Sequence, residues 1–522
     1  MIVRSPLPDL DLPRTDFSTF VLRRARRLGD KPALIDAASG VQLSFVELVR
    51  RIDEVAGGLV TQGLRPGEVV ALCGFNTVPF ALSAHAVWRA GGVVVTMSPL
   101  FTQGEMRQEL DDARPRYLIA APEVFERAAQ AAAATCVEAV MNFDELPTGP
   151  PPDHVERSPE DVALILYSSG TTGLPKGALL THRNLIASIL QLHSGDLARE
   201  TDVLAAIAPL FHIVGLHGVL NLGLFAGSSI ALFVRYSLER FLAAVQTHRI
   251  SSVFLTPPVV SELAKQPVVA DADVTSLRSI LCAAAPLGAD IEQLAANRLG
   301  CAVRQGYGMT ETSGPVSTML IGREHGRRGS VGQLVPSTDC KVVHLETGQE
   351  LGPNEGGELL VRGPQVMRGY LGHATTEAIE SAGWLHTGDV GYADADGYLY
   401  VVDRVKEIIK YKAYQVAPAE LEAVLMSHPA VADAAVVPSP DPDAGEVPKA
   451  FVVRQPGIAV EADPLLAYVA ERVAAYKKVR RLEFVHAVPK SASGKILRRL
   501  LVERERAAMN GRSACVYGDS PA

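Results

Sequence analysis

The sequence is poor in the features that mark disulfide-rich, membrane-spanning or nucleic-acid-binding proteins. Only six of its 522 residues are cysteines, and they lie far apart with no C-x-x-C pair. Such spacing is typical of reduced thiols rather than of disulfides or a zinc site. The 50 basic and 58 acidic residues give a net charge of −8 and form no basic stripe, so we predict no nucleic-acid partner. The long apolar stretch 204–234 is interrupted by a proline, two histidines and several glycines, which argues against a membrane span.

Two further absences restrict the class of protein. The first residues, MIVRSPLPDLDLPR, carry prolines and acidic side chains where a signal peptide needs a continuous apolar segment, so we predict a cytoplasmic protein. No G-x-S-x-G motif occurs in the chain, which argues against a serine hydrolase with a nucleophile elbow. The sequence leaves open whether the protein is a monomer or a homodimer.

Segments with strand and helix patterns alternate through the first half of the chain. This alternation predicts an α/β fold in which helices cover a largely parallel sheet, arranged as two α/β lobes. After Gly329 short strands with glycine turns predict a small β-rich subdomain. We therefore expect a multidomain α/β protein with a large N-terminal domain, residues 1–402, and a smaller mobile α+β C-terminal cap, residues 403–522. The alternation is clearest in residues 45–59, 69–72, 92–97, 162–192, 229–245 and 253–263.

The segment 167–177, YSSGTTGLPKG, combines hydroxyls, glycines and one lysine in a single loop after the apolar run 162–166. Its glycines let the backbone approach a polyphosphate, its hydroxyls donate hydrogen bonds, and Lys176 adds a positive charge. Pro175 precedes the lysine and Gly177 follows it, so the loop is not a Walker A motif. Taken alone, a loop of this composition is more often a flexible surface turn. The residues expected to contact phosphates are Ser168, Ser169, Gly170, Thr171, Thr172 and Lys176.

Five further segments follow this loop in a fixed order. They are PLFHIVG at 209–215, QGYGMTE at 305–311, GWLHTGD at 383–389, DRVKEIIKYK at 403–412 and PKSASGK at 489–495. With this set the sequence resembles the adenylate-forming acyl-CoA synthetases, and most closely the branch of 4-coumarate:CoA ligases and luciferases, over about residues 25–499. The resemblance implies a ligase that uses ATP, Mg²⁺ and coenzyme A. In such a ligase a small carboxylic acid attacks the α-phosphate of ATP, pyrophosphate leaves, and a thiol then intercepts the acyl-adenylate.

The resemblance also implies individual catalytic roles. Lys495 would contact both the acid and the α-phosphate. Glu311 would bind magnesium and Thr310 would donate to the α-phosphate, because this cation usually takes one carboxylate together with phosphate oxygens. His212, which in an isolated apolar segment would be interpreted as a core histidine, would line the entrance for the acid and orient its carboxylate. Lys406 would be the hinge about which the cap rotates.

The resemblance implies that one group of residues binds the nucleotide and that another binds coenzyme A. After rotation of the cap, a second cap face would replace Lys495 and form the pantetheine channel. At the adenine and ribose the resemblance implies Ala284, Ala285, Gly306, Tyr307, Gly308, Asp389 and Arg404. On the second cap face it implies Lys410, Lys412, Ala413 and Gln415.

The implied acyl pocket consists of small or apolar side chains. Coumarate-specific relatives commonly carry a tyrosine where this chain has Val214, so this chain lacks one polar partner for a ring hydroxyl. We therefore expect a hydrophobic acid, whether aliphatic, cyclic or aryl, rather than a phenolic one. The implied pocket residues are Val214, Gly218, Ala284, Gly306, Gly308, Pro315 and Val316.

Ala413 departs from the family pattern, because relatives read KYKG where this chain reads KYKA. Its methyl group would border the thiol channel. Either alanine is tolerated there, or thiol delivery is hindered and the protein is an amide synthetase or a CoA ligase impaired in one half-reaction. A non-catalytic AMP-binding protein is a further alternative. It is disfavoured by the presence of Lys176, Thr310, Glu311, Asp389, Arg404 and Lys495.

Overall fold

The computed structural model describes residues 2–153, 155–168, 175–320, 327–372, 378–412, 414–441, 443–491 and 494–509. In these residues the chain forms three β-sheets with helices packed against them. No helix in the described ranges is long and apolar enough to cross a membrane.

The strands are numbered along the chain. Their bounds are β1 (Ile2–Arg4), β2 (Pro32–Asp36), β3 (Gln42–Ser44), β4 (Val69–Cys73), β5 (Val93–Met97), β6 (Tyr117–Ala120), β7 (Ala139–Asn142), β8 (Val162–Ser168), β9 (Lys176–Thr181), β10 (Val203–Ala206), β11 (Ser229–Leu232), β12 (Ser252–Leu255), β13 (Ser279–Cys282), β14 (Ala302–Met309), β15 (Gly314–Thr318), β16 (Gly332–Leu334), β17 (Asp339–Val343), β18 (Gly357–Arg362), β19 (Gly369–Tyr370), β20 (Leu385–Ala393), β21 (Tyr398–Arg404), β22 (Ile409–Tyr411), β23 (Tyr414–Val416), β24 (Val431–Asp441), β25 (Gly445–Arg454) and β26 (Arg481–Phe484).

The helices are numbered in the same way. The α-helices are α1 (Phe17–Leu22), α2 (Ala25–Leu28), α3 (Phe45–Thr61), α4 (Val78–Arg89), α5 (Gln103–Ala113), α6 (Phe125–Ala132), α7 (His182–Ser194), α8 (Leu222–Ala226), α9 (Leu238–His248), α10 (Pro257–Lys265), α11 (Ala289–Leu299), α12 (Pro418–Ser427), α13 (Ala462–Ala470) and α14 (Arg498–Met509). A π-helix, Val214–Asn221, runs directly into α8. Short 3-10 turns occupy Pro122–Val124, Phe143–Glu145, Pro267–Asp271, Thr310–Thr312 and Ala475–Lys477.

The largest sheet has fourteen strands in the order β1-β17-β18-β20-β21-β16-β15-β14-β13-β12-β10-β11-β2-β3. The neighbours from β14 to β2 are parallel, whereas those from β15 to β1 are antiparallel. The change occurs within β14, which pairs with β13 up to Gln305 and with β15 from Gly306 onward. One α/β lobe and the β-rich region, which we expected as separate units, therefore share one continuous sheet.

The second sheet has seven strands in the order β19-β9-β8-β5-β4-β6-β7. β4, β5, β6, β7 and β8 are parallel, as the alternating pattern predicts. β8 ends at Ser168 and β9 begins at Lys176, so the predicted phosphate loop connects two antiparallel neighbours. β19, which comes much later in the chain, pairs with β9 at the edge of the sheet.

Helix α3 shows why the periodic segments fold as predicted. Its apolar positions recur every three or four residues and lie on one face, and Leu48, Ile52, Ala56 and Leu59 are all fully buried. The Ser44 side chain accepts a hydrogen bond from the Glu47 N–H and caps the first turn. The predicted helix over residues 45–59 is therefore confirmed.

The C-terminal region has its own sheet and core. β22, β23, β24, β25 and β26 form five strands, and their apolar face packs against α12 and α13 around Ile409, Val431 and Leu465. β21 continues in the large sheet to Arg404, so the boundary predicted at 402/403 falls within this strand. The division into two domains that move relative to one another stays a prediction.

The proline-rich segment 147–153 packs on α3 through close backbone contacts. A Cβ atom added to Gly57 would lie 2.0 Å from the carbonyl oxygen of Pro150, and one added to Gly58 would lie 2.2 Å from that of Pro147. Glycine at both positions therefore lets the loop lie directly on the helix.

Gly57→Ala should lower the apparent melting temperature, because the added methyl group forces the loop away from α3. Overpacking of this kind costs about 1–3 kcal/mol, and a thermal unfolding scan measures the shift. Gly104→Ala is the matched control, since this helical glycine has no atom within 4 Å of an added Cβ. Equal melting temperatures for the two variants would contradict the close contact.

Candidate active site

The turn that follows β14 carries two predicted catalytic residues. A Cβ atom added to Gly308 would lie 1.8 Å from the carbonyl oxygen of Gly314, so glycine is required where the two ends of the turn meet. The Thr312 hydroxyl donates to the same carbonyl at 2.8 Å and closes the turn. Thr310 and Glu311 therefore lie in a tightly fixed backbone.

Three residues that we predict to bind the nucleotide come from three different strands and form one hydrogen-bonded group. The Tyr307 hydroxyl donates to Asp389 Oδ2 at 2.6 Å, and Arg404 Nε lies 2.8 Å from Asp389 Oδ1. Asp389 and Arg404 are direct cross-strand partners on β20 and β21. Burial raises the pKa of the Asp389 carboxyl, an effect that Arg404 and Tyr307 partly oppose. The group presents a buried carboxylate beside a fixed cation.

Glu311 is buried and contacts a residue that the sequence analysis did not identify. The Tyr370 hydroxyl donates to Glu311 Oε1 at 2.9 Å, and the Met367 N–H donates to the Glu311 carbonyl at 2.8 Å. The Lys176 ammonium lies 5.4 Å from the centre of the Tyr370 ring. The carboxylate predicted to bind magnesium is therefore adjacent to the lysine of the predicted phosphate loop.

The backbone just before His212 is held by Asn76, in the loop after β4, and by Thr96 of β5. The Asn76 side chain donates to the carbonyls of residues 206 and 208 and accepts from the N–H of residue 210. Thr96 donates to the Phe211 carbonyl at 2.8 Å. Burial, with a smaller effect from Lys495, lowers the pKa of His212 to about 4. The imidazole is therefore neutral near pH 7.

The loop at 489–497 brings Lys495 to these residues. The Ser491 N–H donates to the Lys495 carbonyl at 2.8 Å, and a Cβ on Gly494 would lie 3.1 Å from the Thr256 side chain of the N-terminal region. Lys495 is exposed to water, yet its ammonium lies among many protein atoms, as in an open cleft. Burial and then Arg404 lower its pKa, whereas Asp389 and Glu311 oppose the shift.

The predicted acyl-pocket residues divide into two groups. Val214 is half-buried at the start of the π-helix, and a Cβ on Gly218 would meet only the Phe254 ring, at 3.6 Å. Pro315 is buried beside Gly308. Val316, however, is fully buried in the core of the β-rich region. Its side chain therefore contacts other core residues, and its place in the acyl pocket stays a prediction.

The segment with Ala284 and Ala285 lies exposed at the end of β13. Ala284 has a φ of +76°, a left-handed conformation that costs a residue with a Cβ about 1–2 kcal/mol. The Gln305 side chain accepts from the Leu287 N–H at 2.9 Å and donates to the Leu287 carbonyl at 3.1 Å. These bonds fix the segment against β14.

Two family models match this chain. A family model described as AMP-binding enzyme matches residues 21–371, and one described as AMP-binding enzyme C-terminal domain matches residues 420–495. The chain belongs to the AMP-binding enzyme family. It is 38% identical to 4-coumarate–CoA ligase 3 of Arabidopsis thaliana over 95% of this chain and 93% of the relative. It is 42% identical to 4-coumarate–CoA ligase-like 6 of Oryza sativa subsp. japonica over 95% of this chain and 89% of the relative.

A solved structure extends the comparison to the fold. The anthranilate CoA ligase AuaEII, in complex with anthranoyl-AMP, matches with a TM-score of 0.90 and 26% identity over 96% of this chain and 99% of that chain. The fold class and the family predicted from the sequence are confirmed. This AMP-binding enzyme is an ATP-dependent acyl-CoA ligase that forms an acyl-adenylate and then a CoA thioester.

Not every predicted site residue of this AMP-binding enzyme lies at the cleft. The β22–β23 hairpin of the cap carries three predicted residues, Lys410, Lys412 and Gln415, and all three are exposed. The N–H groups of Lys410 and Lys412 donate to Glu446 and to the Ala444 carbonyl, which also belong to the cap. Lys406 is exposed directly after β21. Five predicted residues lie outside the described residues, namely Ser169, Gly170, Thr171, Thr172 and Ala413.

Four residues that support the site were missed by reasoning from the sequence. The Asn76 and Thr96 side chains donate hydrogen bonds to backbone carbonyls close to His212. The bonded residues are more than a hundred positions apart in the chain, so no local sequence pattern marks them. Gln305 belongs to the quoted QGYGMTE segment but received no role. Tyr370 lies between two glycines in the segment RGYLG, which was the one local signal of an edge strand.

Asp389→Asn should weaken AMP binding. The amide lacks the negative charge that pairs with Arg404 and that would accept hydrogen bonds from the ribose hydroxyls. Loss of a charged hydrogen bond of about 1.5–3 kcal/mol corresponds to a rise in Kd of about tenfold or more. Calorimetric titration of AMP measures the Kd. Asp339→Asn is the control, since it removes a similar cross-strand pair with Arg362, whose Nη2 lies 2.7 Å from Asp339 Oδ2. Equal effects of the two variants would contradict this role of Asp389.

Proposed function

We propose that this CoA ligase activates a hydrophobic carboxylic acid in the cleft where Lys495 meets His212, Glu311 and Asp389. The observation that supports this most strongly is the position of Lys495. Its ammonium comes from the C-terminal cap, yet it interacts electrostatically with Asp389, Glu311 and Arg404 of the large sheet and its turn. A point charge in this position can stabilise negative charge that develops on the α-phosphate.

The chemistry of the acid carboxylate follows from the neighbouring groups. A neutral His212 can hydrogen-bond to a carboxylate without adding charge, while Lys495 supplies the cation that draws the carboxylate towards the α-phosphate. Asp389 and Arg404 would bind the ribose from one side, and Thr310 would donate to the α-phosphate. In this arrangement the nucleophilic oxygen and the phosphorus atom are held close together before reaction.

We propose Glu311 as the residue that holds magnesium. The described part of the chain contains no group of three or more His, Cys, Asp or Glu residues that could hold a metal ion. A single buried carboxylate fits Mg²⁺ bound together with substrate phosphates, because this ion usually keeps few protein ligands. When bound, the ion supplies positive charge that neutralises the phosphate oxygens.

The class of acid is proposed from the pocket and from the relatives. The names of the relatives refer to 4-coumarate and anthranilate, so an aromatic acid is one candidate among hydrophobic acids. Val214 and Gly218 offer apolar surface and space beside Phe254. Neither residue offers a polar side-chain atom that could hydrogen-bond to a ring hydroxyl, which supports an apolar acid over a phenolic one.

A panel of carboxylic acids tests both the function and the acid class through pyrophosphate release. The matched pair cinnamate and 4-coumarate differ by one hydroxyl, and the wild type should favour cinnamate by about tenfold in kcat/KM, because an unpaired buried hydroxyl costs about 1–3 kcal/mol. Val214→Tyr should shift the ratio towards 4-coumarate. Absence of acid-dependent pyrophosphate release would contradict the function, and a preference for 4-coumarate would contradict the acid class.

We further propose that the cap rotates about Lys406 between the two half-reactions. Helix α12 of the cap is contacted at both ends by residues that precede this hinge. Asp403 Oδ2 accepts from the Ala419 N–H at 2.8 Å, and Lys265 Nζ lies 2.7 Å from the Met426 carbonyl oxygen. A carboxylate at the helix N-terminus and an ammonium at its C-terminus both stabilise this orientation. These few contacts can be exchanged for others when the cap turns.

Lys495→Ala should separate the two half-reactions. We expect pyrophosphate release to slow by about a hundredfold or more, because one charged donor to the reacting phosphate is lost. Thioester formation from a preformed acyl-adenylate should be unchanged, since Lys495 acts in only one cap orientation. Lys490→Ala is the control from the same loop, where Lys490 Nζ bonds to Asp433 at 2.6 Å. Equal losses in both steps would contradict the proposed rotation.

The remaining expectations stay predictions. They concern the cytoplasmic location, the oligomeric state and the effect of Ala413 on thiol delivery. Ala413 lies outside the described residues. The named relatives are CoA ligases, which supports coenzyme A as the acceptor rather than an amine.

A further inference from the structure

Tyr370 lies at a junction between separate parts of the candidate site. It belongs to β19, whose neighbouring residues form two backbone hydrogen bonds with β9. The Arg368 N–H donates to the Leu179 carbonyl at 2.9 Å, and the Leu371 N–H donates to the Gly177 carbonyl at 2.8 Å. β9 begins with Lys176. The segment 367–371 therefore ties the strand of the predicted phosphate loop to the turn that carries Glu311.

The phenol of Tyr370 contacts the functional groups of both parts. Its hydroxyl donates to Glu311 Oε1 at 2.9 Å, and its ring faces the Lys176 ammonium at 5.4 Å. The Ser168 hydroxyl lies beside the phenol and affects its pKa, although the two do not meet the geometry of a hydrogen bond. Ser168 Oγ is buried and, in the part of the chain that the structure describes, has no hydrogen-bond partner.

An unpartnered buried hydroxyl at this point indicates a ligand with acceptor atoms. A carboxylate, a lysine and this hydroxyl converge within one small region, which suits phosphate oxygens and a divalent cation. Because Tyr370 donates to Glu311 Oε1, it restricts the rotation of the carboxylate, and Oε2 would keep its lone pairs for a cation.

We propose that Tyr370 is a positioning residue for the magnesium form of ATP. This inference rests on the proposed function, in which Glu311 holds the ion. Tyr370 acts through Glu311 and Lys176 and transfers no proton. Partners of this kind, which orient a metal ligand, typically change metal affinity or activity by about 10–100-fold when they are lost.

Tyr370→Phe tests the proposal, because it removes the hydroxyl and keeps the ring that faces Lys176. Calorimetry would measure binding of α,β-methylene-ATP with Mg²⁺ and with EDTA, and binding of AMP without metal. We expect the Kd of the magnesium form to rise by about tenfold. The Kd values measured without metal should stay the same as in the wild type.

Tyr236→Phe is the matched control, since the Tyr236 hydroxyl donates to Glu262 Oε2 at 2.8 Å away from the turn at Glu311. It should change none of the three Kd values. An unchanged magnesium dependence in Tyr370→Phe would overturn the proposal. An equal loss with and without metal would also overturn it, because it would indicate a merely structural role.

A kinetic measurement gives a second readout. The Mg²⁺ concentration that half-saturates pyrophosphate release should rise in Tyr370→Phe, while thioester formation from a preformed adenylate should not change. Failure of the proposed function is distinguishable from failure of this inference. If the wild type released no pyrophosphate with any acid, the proposed function would fail, whereas the calorimetric comparison would still decide the role of Tyr370.

Discussion

The buried carboxylate of Asp389 is the interaction on which the arrangement of the site depends. It receives the Tyr307 hydroxyl at 2.6 Å and lies 2.8 Å from Arg404 Nε. A carboxylate with so little exposure is stable only when it is paired and hydrogen-bonded. Its partners come from β14 and β21, so the pairing fixes the relative positions of two strands that are far apart in sequence. It also lies in the strand pair that leads directly into the predicted hinge.

Close backbone packing determines where the other reactive groups lie. Gly308 meets Gly314 at a distance that excludes any side chain, and Met367 and Tyr370 hold the resulting turn from a separate edge strand. On the opposite side, Asn76 and Thr96 hold the backbone before His212 by hydrogen bonds to carbonyl groups. The predicted site residues are thus held on rigid elements by residues to which the sequence assigns no chemical role, and precise catalytic geometry requires such support.

Polar contacts join the cap to the N-terminal region. Asp403 and Lys265 contact the two ends of α12, while Arg498, close to Lys495 in sequence, pairs with Glu407 and Glu422 within the cap. Contacts between a helix dipole and a charge are individually worth only about 0.3–1 kcal/mol at exposed positions. An interface of this kind can favour one orientation without preventing another, which is what two reactions at one site need.

The sequence by itself determined the family, the periodic helices and strands, and the six segments that carry the reactive groups. These features depend on local spacing, as in α3 and β8, or on residue types within one short segment. The tertiary structure alone decided that one sheet runs from the α/β lobe into the β-rich region, that Val316 is fully buried in the core of that region, and that Tyr370 contacts Glu311. Each of these depends on contacts between residues far apart in the chain, and the spacing of residues in one sequence carries no information about such contacts.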